Sequence, residues 1–205
     1  MFVNSSLLLL LAVAPAEGLP YYGEATFTPQ WLKASQISKD FHRIPAFEFT
    51  NQKGESVTEK SFEGKIYVAD FFFTTCPGIC ADMSKNMLIL QEAFQGAEDV
   101  RLLSHSVTPD HDTPKRLARY ARRYGIDARL WHLVPGPEKL IYDLGRRRYF
   151  VEEDLGLKKK DDEFLHTENF VLIDKIRRIR GIYNGLNKAS IAQLIEDIKT
   201  LRKEG

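Results

Sequence analysis

The chain has two cysteines, Cys76 and Cys80, separated by Pro77-Gly78-Ile79. A thiolate is either a redox nucleophile or a ligand for a soft metal, and a close pair offers both. A simple stapling disulfide explains the pair less well, because closing so small a loop removes little entropy from the unfolded chain. Thioredoxin-type redox motifs place two residues between the cysteines. Three intervening residues open the pair by one position and leave room for an ion. Two thiolates suit Cu(I), and an imidazole would complete a trigonal site, whereas structural zinc wants four ligands.

The elements around the pair can be read from hydrophobic period. Ile66-Tyr67-Val68-Ala69-Asp70-Phe71-Phe72-Phe73 is apolar on both faces apart from Asp70, as expected of a central strand covered on each side. Downstream, Ile79, Met83, Met87, Leu90 and Phe94 mark one face of a helix starting near Pro77. The cysteines therefore fall at a strand-to-helix junction, where backbone N–H groups and the macrodipole favour both sulfurs as thiolates. Met83 and Met87 offer soft sulfur, but their spacing marks them as core. Val100 to Val107 reads as a second strand. Thr113-Pro114 opens a helix running to Tyr124 and stopping at Gly125. A short strand at 130–134, a helix at 137–149, a hairpin of 169–174 with 178–183, and a helix over 190–201 complete the series. Before it, 45–50 and the turn Asn51-Gln52-Lys53-Gly54 suggest an N-terminal β-hairpin. The charged stretch 158–163 reads as a surface insertion. The fold class is α/β, a central mixed sheet flanked by helices with that hairpin as an extension.

Lys and Arg total 29 against 28 Asp and Glu, so the net charge of +1 argues against a nucleic-acid partner. The arginines at 146–148 and at 116, 119, 122, 123 and 129 read as solvated helix faces. Leu7 to Leu11, followed by Ala12-Val13-Ala14-Pro15-Ala16, is a short apolar run ending in small residues, although no basic residue precedes Lys33. It predicts an export signal or short N-terminal anchor over 1–19, then a linker or arm over 20–43 and one domain over 44–205. Export places the cysteines in an oxidising compartment, where their reduction requires a dedicated donor.

Thr75-Cys76-Pro77-Gly78-Ile79-Cys80, together with Phe164-Leu165-His166-Thr167-Glu168-Asn169-Phe170-Val171-Leu172-Ile173-Asp174, resembles the paired motifs of the SCO/SenC family over roughly residues 44–203. The resemblance implies a thioredoxin fold whose cysteine pair and histidine, here Cys76, Cys80 and His166, bind one copper ion. It further implies a copper chaperone assisting assembly of the copper centre of cytochrome c oxidase. Its partners would be the copper-accepting oxidase subunit, a copper donor and a thiol reductant. The protein would be periplasmic, or membrane-anchored and facing the periplasm. Members of the family often carry an acid directly before the histidine; here that residue is Leu165.

Four other histidines compete with His166. His42 and His132 read as hydrogen-bonded structural residues. His105 and His111 flank the loop after the second strand, where a transient copper or partner contact by His111 is an expectation of lower weight. Asp70, an acid within an apolar strand, is either a proton acceptor for the cysteines, as in thioredoxins, or a carboxylate bonded locally. The alternative function is a thiol-disulfide oxidoreductase with Cys76 attacking and Cys80 resolving, reducing the cysteines of the copper acceptor. A peroxidase, which would use Thr74 or Thr75, ranks lowest because no arginine stands near in the motif.

Overall fold

The computed structural model describes residues 18–153 and 163–204. Residues 1–17 of the export signal or anchor expected over 1–19, and most of the charged stretch at 158–163, lie outside them. Five strands form the central sheet: β3 (Ile66–Phe72), β4 (Val100–Ser106), β5 (Trp131–Val134), β6 (Asn169–Ile173) and β7 (Ile179–Asn184), in the order β5-β4-β3-β6-β7. β3, β4 and β5 run parallel, while β6 pairs antiparallel with β3 and β7 antiparallel with β6. The hairpin β1 (Glu48–Thr50) and β2 (Ser56–Thr58) stands as a separate two-stranded sheet.

β3 is buried at every position, and its alternation divides the core in two. Ile66, Val68 and Phe72 pack with α1 (Cys80–Ala93), α2 (Pro114–Tyr124) and α4 (Lys188–Lys203). Tyr67, Ala69 and Phe71 pack with Phe47 and Phe49 of the hairpin and with Ile141 and Tyr142 of α3 (Glu138–Asp143). Burial on both faces is why this strand shows an apolar run instead of alternation.

α2 starts and stops where its caps dictate. The Thr113 side chain accepts from Arg116 N–H, Pro114 takes the first helical position, and Gly125 closes the helix at φ 71°. α4 begins two residues before the expected Ser190, because Asn187 caps it by accepting from the N–H groups of Ala189 and Ser190. The helix expected over 137–149 divides into α3 and a π-helical segment at Leu144–Arg148. Inside that segment, a Cβ on Gly145 would meet Leu165 Cδ2 at 2.5 Å, so the close approach requires glycine. Residues 18–43 lie along the domain. Tyr22 N–H donates to Ile179 O at 3.0 Å, and Arg180 donates to the carbonyls of Leu19 and Pro20 at 2.7 and 3.1 Å.

Candidate metal centre

The end of β3 delivers Phe73 and Thr74 into the cysteine loop. α1 starts at Cys80, not near Pro77, so residues 77–79 form a turn and Ile79 is 41% exposed instead of facing the core. No side chain caps α1. The backbone N–H of Cys80, at the helix start, and that of Gly78, in the turn before it, hydrogen-bond to the Cys76 thiol instead. Burial pushes that thiol up, but these two bonds and a third from the Cys80 side chain outweigh it and bring Cys76 below its ordinary value. Cys80 goes the other way. Burial, the hydrogen bond to Cys76 and the negative charges of Cys76 and Asp70 push it up to about 12. The two sulfurs are thus not equivalent, as the expectation of a thiolate pair had them: Cys76 is lowered and Cys80 raised, because the second sulfur is buried beside the first. Both cysteines are free.

Asp70 is 2% exposed and receives the Ser104 hydroxyl, whose oxygen in turn accepts from Trp131 Nε1 at 2.8 Å. Burial, only partly offset by that hydroxyl, pushes its carboxyl up to about 7.

His166 reaches the same end of the sheet on the segment leading into β6, the strand beside β3. Leu165 and Thr167 are buried on either side of it, with Thr167 Oγ1 donating to Val151 O at 2.6 Å. The alternation leaves Phe164 and His166 exposed together. The Phe164 ring stands edge-on to Phe73 at 5.5 Å and lies 6.4 Å from the His166 ring, linking the histidine segment to the root of the cysteine loop. Leu165 fills the core against Gly145, so an acid at this position would be buried. Among the described residues, no three His, Cys, Asp or Glu side chains stand close enough together to hold a metal ion. The two sulfurs converge; the imidazole stands on a neighbouring segment without joining them.

The remaining histidines are placed by structure. His42 Nε2 bonds Arg148 O at 2.7 Å, and His132 Nδ1 lies 3.3 Å from Asn51 Nδ2. His111 is exposed in the turn after β4. His105 lies within β4, fully buried among Phe47, Phe49, Phe71 and Tyr149 with neither ring nitrogen hydrogen-bonded, which removes it from the site. Met83 and Met87 are fully buried in the core.

Sequence reasoning missed the clamp on the cysteine loop. Asp112, fully buried, accepts from Thr74 N–H at 3.0 Å, from the Thr74 hydroxyl, from Ser106 Oγ at 2.7 Å and from Thr108 Oγ1 at 3.2 Å. Arg116 Nε donates to Thr74 Oγ1 at 3.0 Å. An arginine therefore does stand at the loop, two residues before Cys76, but it comes from α2 and is engaged with Thr74 and Asp112. The available signal was an acid directly before the Thr113-Pro114 helix start, in the loop that leaves the neighbouring strand.

A mixed sheet carrying a dithiol at its central strand-to-helix junction defines a thioredoxin-like dithiol protein. More narrowly, the SCO1/SenC family model matches residues 35–203, and the chain belongs to that family. It is 30% identical over 163 residues to the SCO1 protein homolog of Bacillus subtilis, covering 78% of this chain and 82% of that one. Its structure is similar to that of BsSco, a member of the Sco family of cytochrome c oxidase assembly proteins in which a disulfide switch was identified. That match has a TM-score of 0.65 and 28% identity, over 81% of this chain and 97% of the other. It is also similar to Bradyrhizobium japonicum ScoI with copper bound, at a TM-score of 0.61 and 25% identity, over 77% and 98% of the two chains.

Proposed function

We propose that this protein is an exported copper chaperone that holds Cu(I) between Cys76, Cys80 and His166 and passes it to the copper-accepting subunit of cytochrome c oxidase. The observation that carries the reading is the pair of free cysteines at the end of β3, with an exposed imidazole on the segment that leads into the adjoining strand β6. Copper is the cargo. The Cys76 thiolate is the first ligand to meet it. Cys80 gives up its proton as the metal arrives, and Asp70, whose charge already acts on that thiol, is the group to accept it. His166 closes the site last and opens it first, because its side chain is exposed and makes no hydrogen bond among the described residues that would resist movement. An oxygen-rich site would suit other ions; two sulfurs and an imidazole select a soft one. The copper bound by ScoI and the assembly role of the Sco family support the same cargo and acceptor. The apolar, small-residue pattern over 7–16 supports export, with the domain on the periplasmic side and a thiol reductant keeping the pair open.

The asymmetry of the pair supports a second activity. A lowered Cys76 with a protonated Cys80 hydrogen-bonded to it is the arrangement of an attacking and a resolving thiol, so the same loop can reduce the acceptor's cysteines before metal transfer. The two activities separate at His166. Copper transfer from the loaded chain to the acceptor subunit should fail in His166→Ala, while reduction of a disulfide in that subunit should proceed at the parental rate. Loss of both activities, or of neither, contradicts the assignment.

A further inference from the structure

The end of the sheet remote from the cysteines carries a surface that metal chemistry leaves unused. There β6 turns into β7 through Asp174-Lys175-Ile176-Arg177-Arg178. Asp174 holds the turn rigid: its carboxylate accepts from the N–H groups of Ile176 and Arg178 at 3.0 and 2.8 Å, and its carbonyl accepts from Arg177 N–H at 2.9 Å. Arg177 takes a left-handed backbone at φ 68°, which this bonding over-determines. At the tip stands Ile176, 59% exposed, the most exposed large apolar side chain among the described residues. Beside it lies a groove of about 310 Å³ lined by Arg43, Lys60, Lys175 and Arg177, with Glu59 and Glu63 also on its wall. Four cations face two carboxylates there, and none of the four enters an ion pair among the described residues.

A rigid apolar tip framed by unpaired cations complements one kind of surface closely. Phosphate headgroups satisfy the cations while the tip enters the acyl boundary. The course of the chain points the same way. Leu19 is held at this end, its N–H donating to Glu204 Oε1 at 3.1 Å and its carbonyl accepting from Arg180. The apolar run 7–14 lies just upstream in sequence. A segment of that character, drawn to a bilayer, brings this end of the domain to the bilayer with it.

We propose that the β6–β7 turn and its basic groove dock on an anionic lipid bilayer. Docked in this way, the domain holds its cysteine loop above the membrane by the length of β3, about 23 Å for seven residues at about 3.3 Å each. The loop then faces away from the lipid, toward a partner projecting from the same membrane. This surface acts whether or not the cysteines carry copper.

The test is lysine acetylation footprinting of the full chain on phosphatidylcholine vesicles with and without phosphatidylglycerol. Lys85, at the opposite end of the domain, serves as the internal reference. Lys60 and Lys175 should be protected more strongly on the anionic vesicles than on the neutral ones, with Lys85 unchanged on both. In Lys175→Gln or Ile176→Ser, the lipid concentration that half-protects Lys60 should rise about fivefold, the equivalent of about 1 kcal/mol for one surface cation or one partly inserted side chain. Both side chains are exposed, and unaltered Cu(I) binding verifies the fold. Four results would overturn the proposal: no protection on anionic vesicles, equal protection on neutral ones, protection by inorganic phosphate alone, or protection that grows with protein concentration without lipid. The third would reveal a small-anion site and the fourth a self-association surface.

Discussion

The two faces of β3 and β4 bury two titratable groups whose effects on stability oppose one another. Burial among aromatic rings lowers His105 from an ordinary 6.5 to about 3, so the folded chain refuses a proton that the unfolded chain accepts below pH 6.5. Its contribution is lost as pH falls. Asp70 is raised from 3.8 to about 7, so the folded chain keeps a proton that the unfolded chain releases. Its contribution is recovered as pH falls from about 7 toward 4. Each amounts to about 1.4 kcal/mol per pH unit, and between pH 6.5 and 4 they nearly cancel. Urea unfolding of the reduced protein at pH 6.5 and 4.5 separates them. His105→Leu removes one slope and should gain about 2 kcal/mol on the parent over those two units. Asp70→Asn removes the other and should lose a similar amount. Each effect is read as a change with pH, so a constant packing penalty in either variant does not disturb it. If His105→Leu runs parallel to the parent across that range, the neutral buried imidazole is wrong.

Other outcomes follow from the site. On brief exposure to iodoacetamide at pH 7, reduced protein should be labelled faster at Cys76 than at Cys80, because hydrogen bonds lower the first thiol while burial raises the second; peptide mass spectrometry gives the ratio. Asp112→Ala leaves three hydroxyls and the Thr74 N–H without their acceptor, and should lower the unfolding free energy by about 2–4 kcal/mol while loosening the cysteine loop. Gly145→Ala drives a methyl into Leu165 and should cost about 1–3 kcal/mol by thermal or urea unfolding, with weaker Cu(I) binding because the strap carrying His166 shifts. His166→Ala should leave stability within about 0.5 kcal/mol, since the ring is exposed, while copper binding falls.

Much of the architecture was legible because local and tertiary signals agreed. β3 announced itself by an apolar run too long for a one-sided strand, and α2 by a cap, a proline and a terminal glycine that the structure uses as read. The start of α1 was misread because Ile79 continues the helical period of Met83 and Met87. Its exposure follows from the Pro77-Gly78 turn, which no periodicity reports. Of the site, the cysteine pair was visible as spacing and His166 only through family resemblance. Nothing local marks a histidine that reaches the cysteine end of the sheet only because β6 pairs antiparallel with β3. Asp112 and Arg116 were invisible for a related reason. They act on Thr74 across about forty residues of chain, and only the parallel pairing of β3 with β4 brings them there. The opposite shifts of the two thiols depend on burial and on the hydrogen bonds around them, neither of which the motif encodes.

The most direct test of the central assignment is an anaerobic titration of the reduced protein with Cu(I) against a chelator of known affinity. It is made on the parent and on Cys76→Ser, Cys80→Ser and His166→Ala. The account predicts one tightly held copper in the parent, near-complete loss in either cysteine variant, and a clear weakening in His166→Ala. Binding that is indifferent to His166, or a parent that takes no copper, would contradict it and leave the dithiol as a redox pair alone.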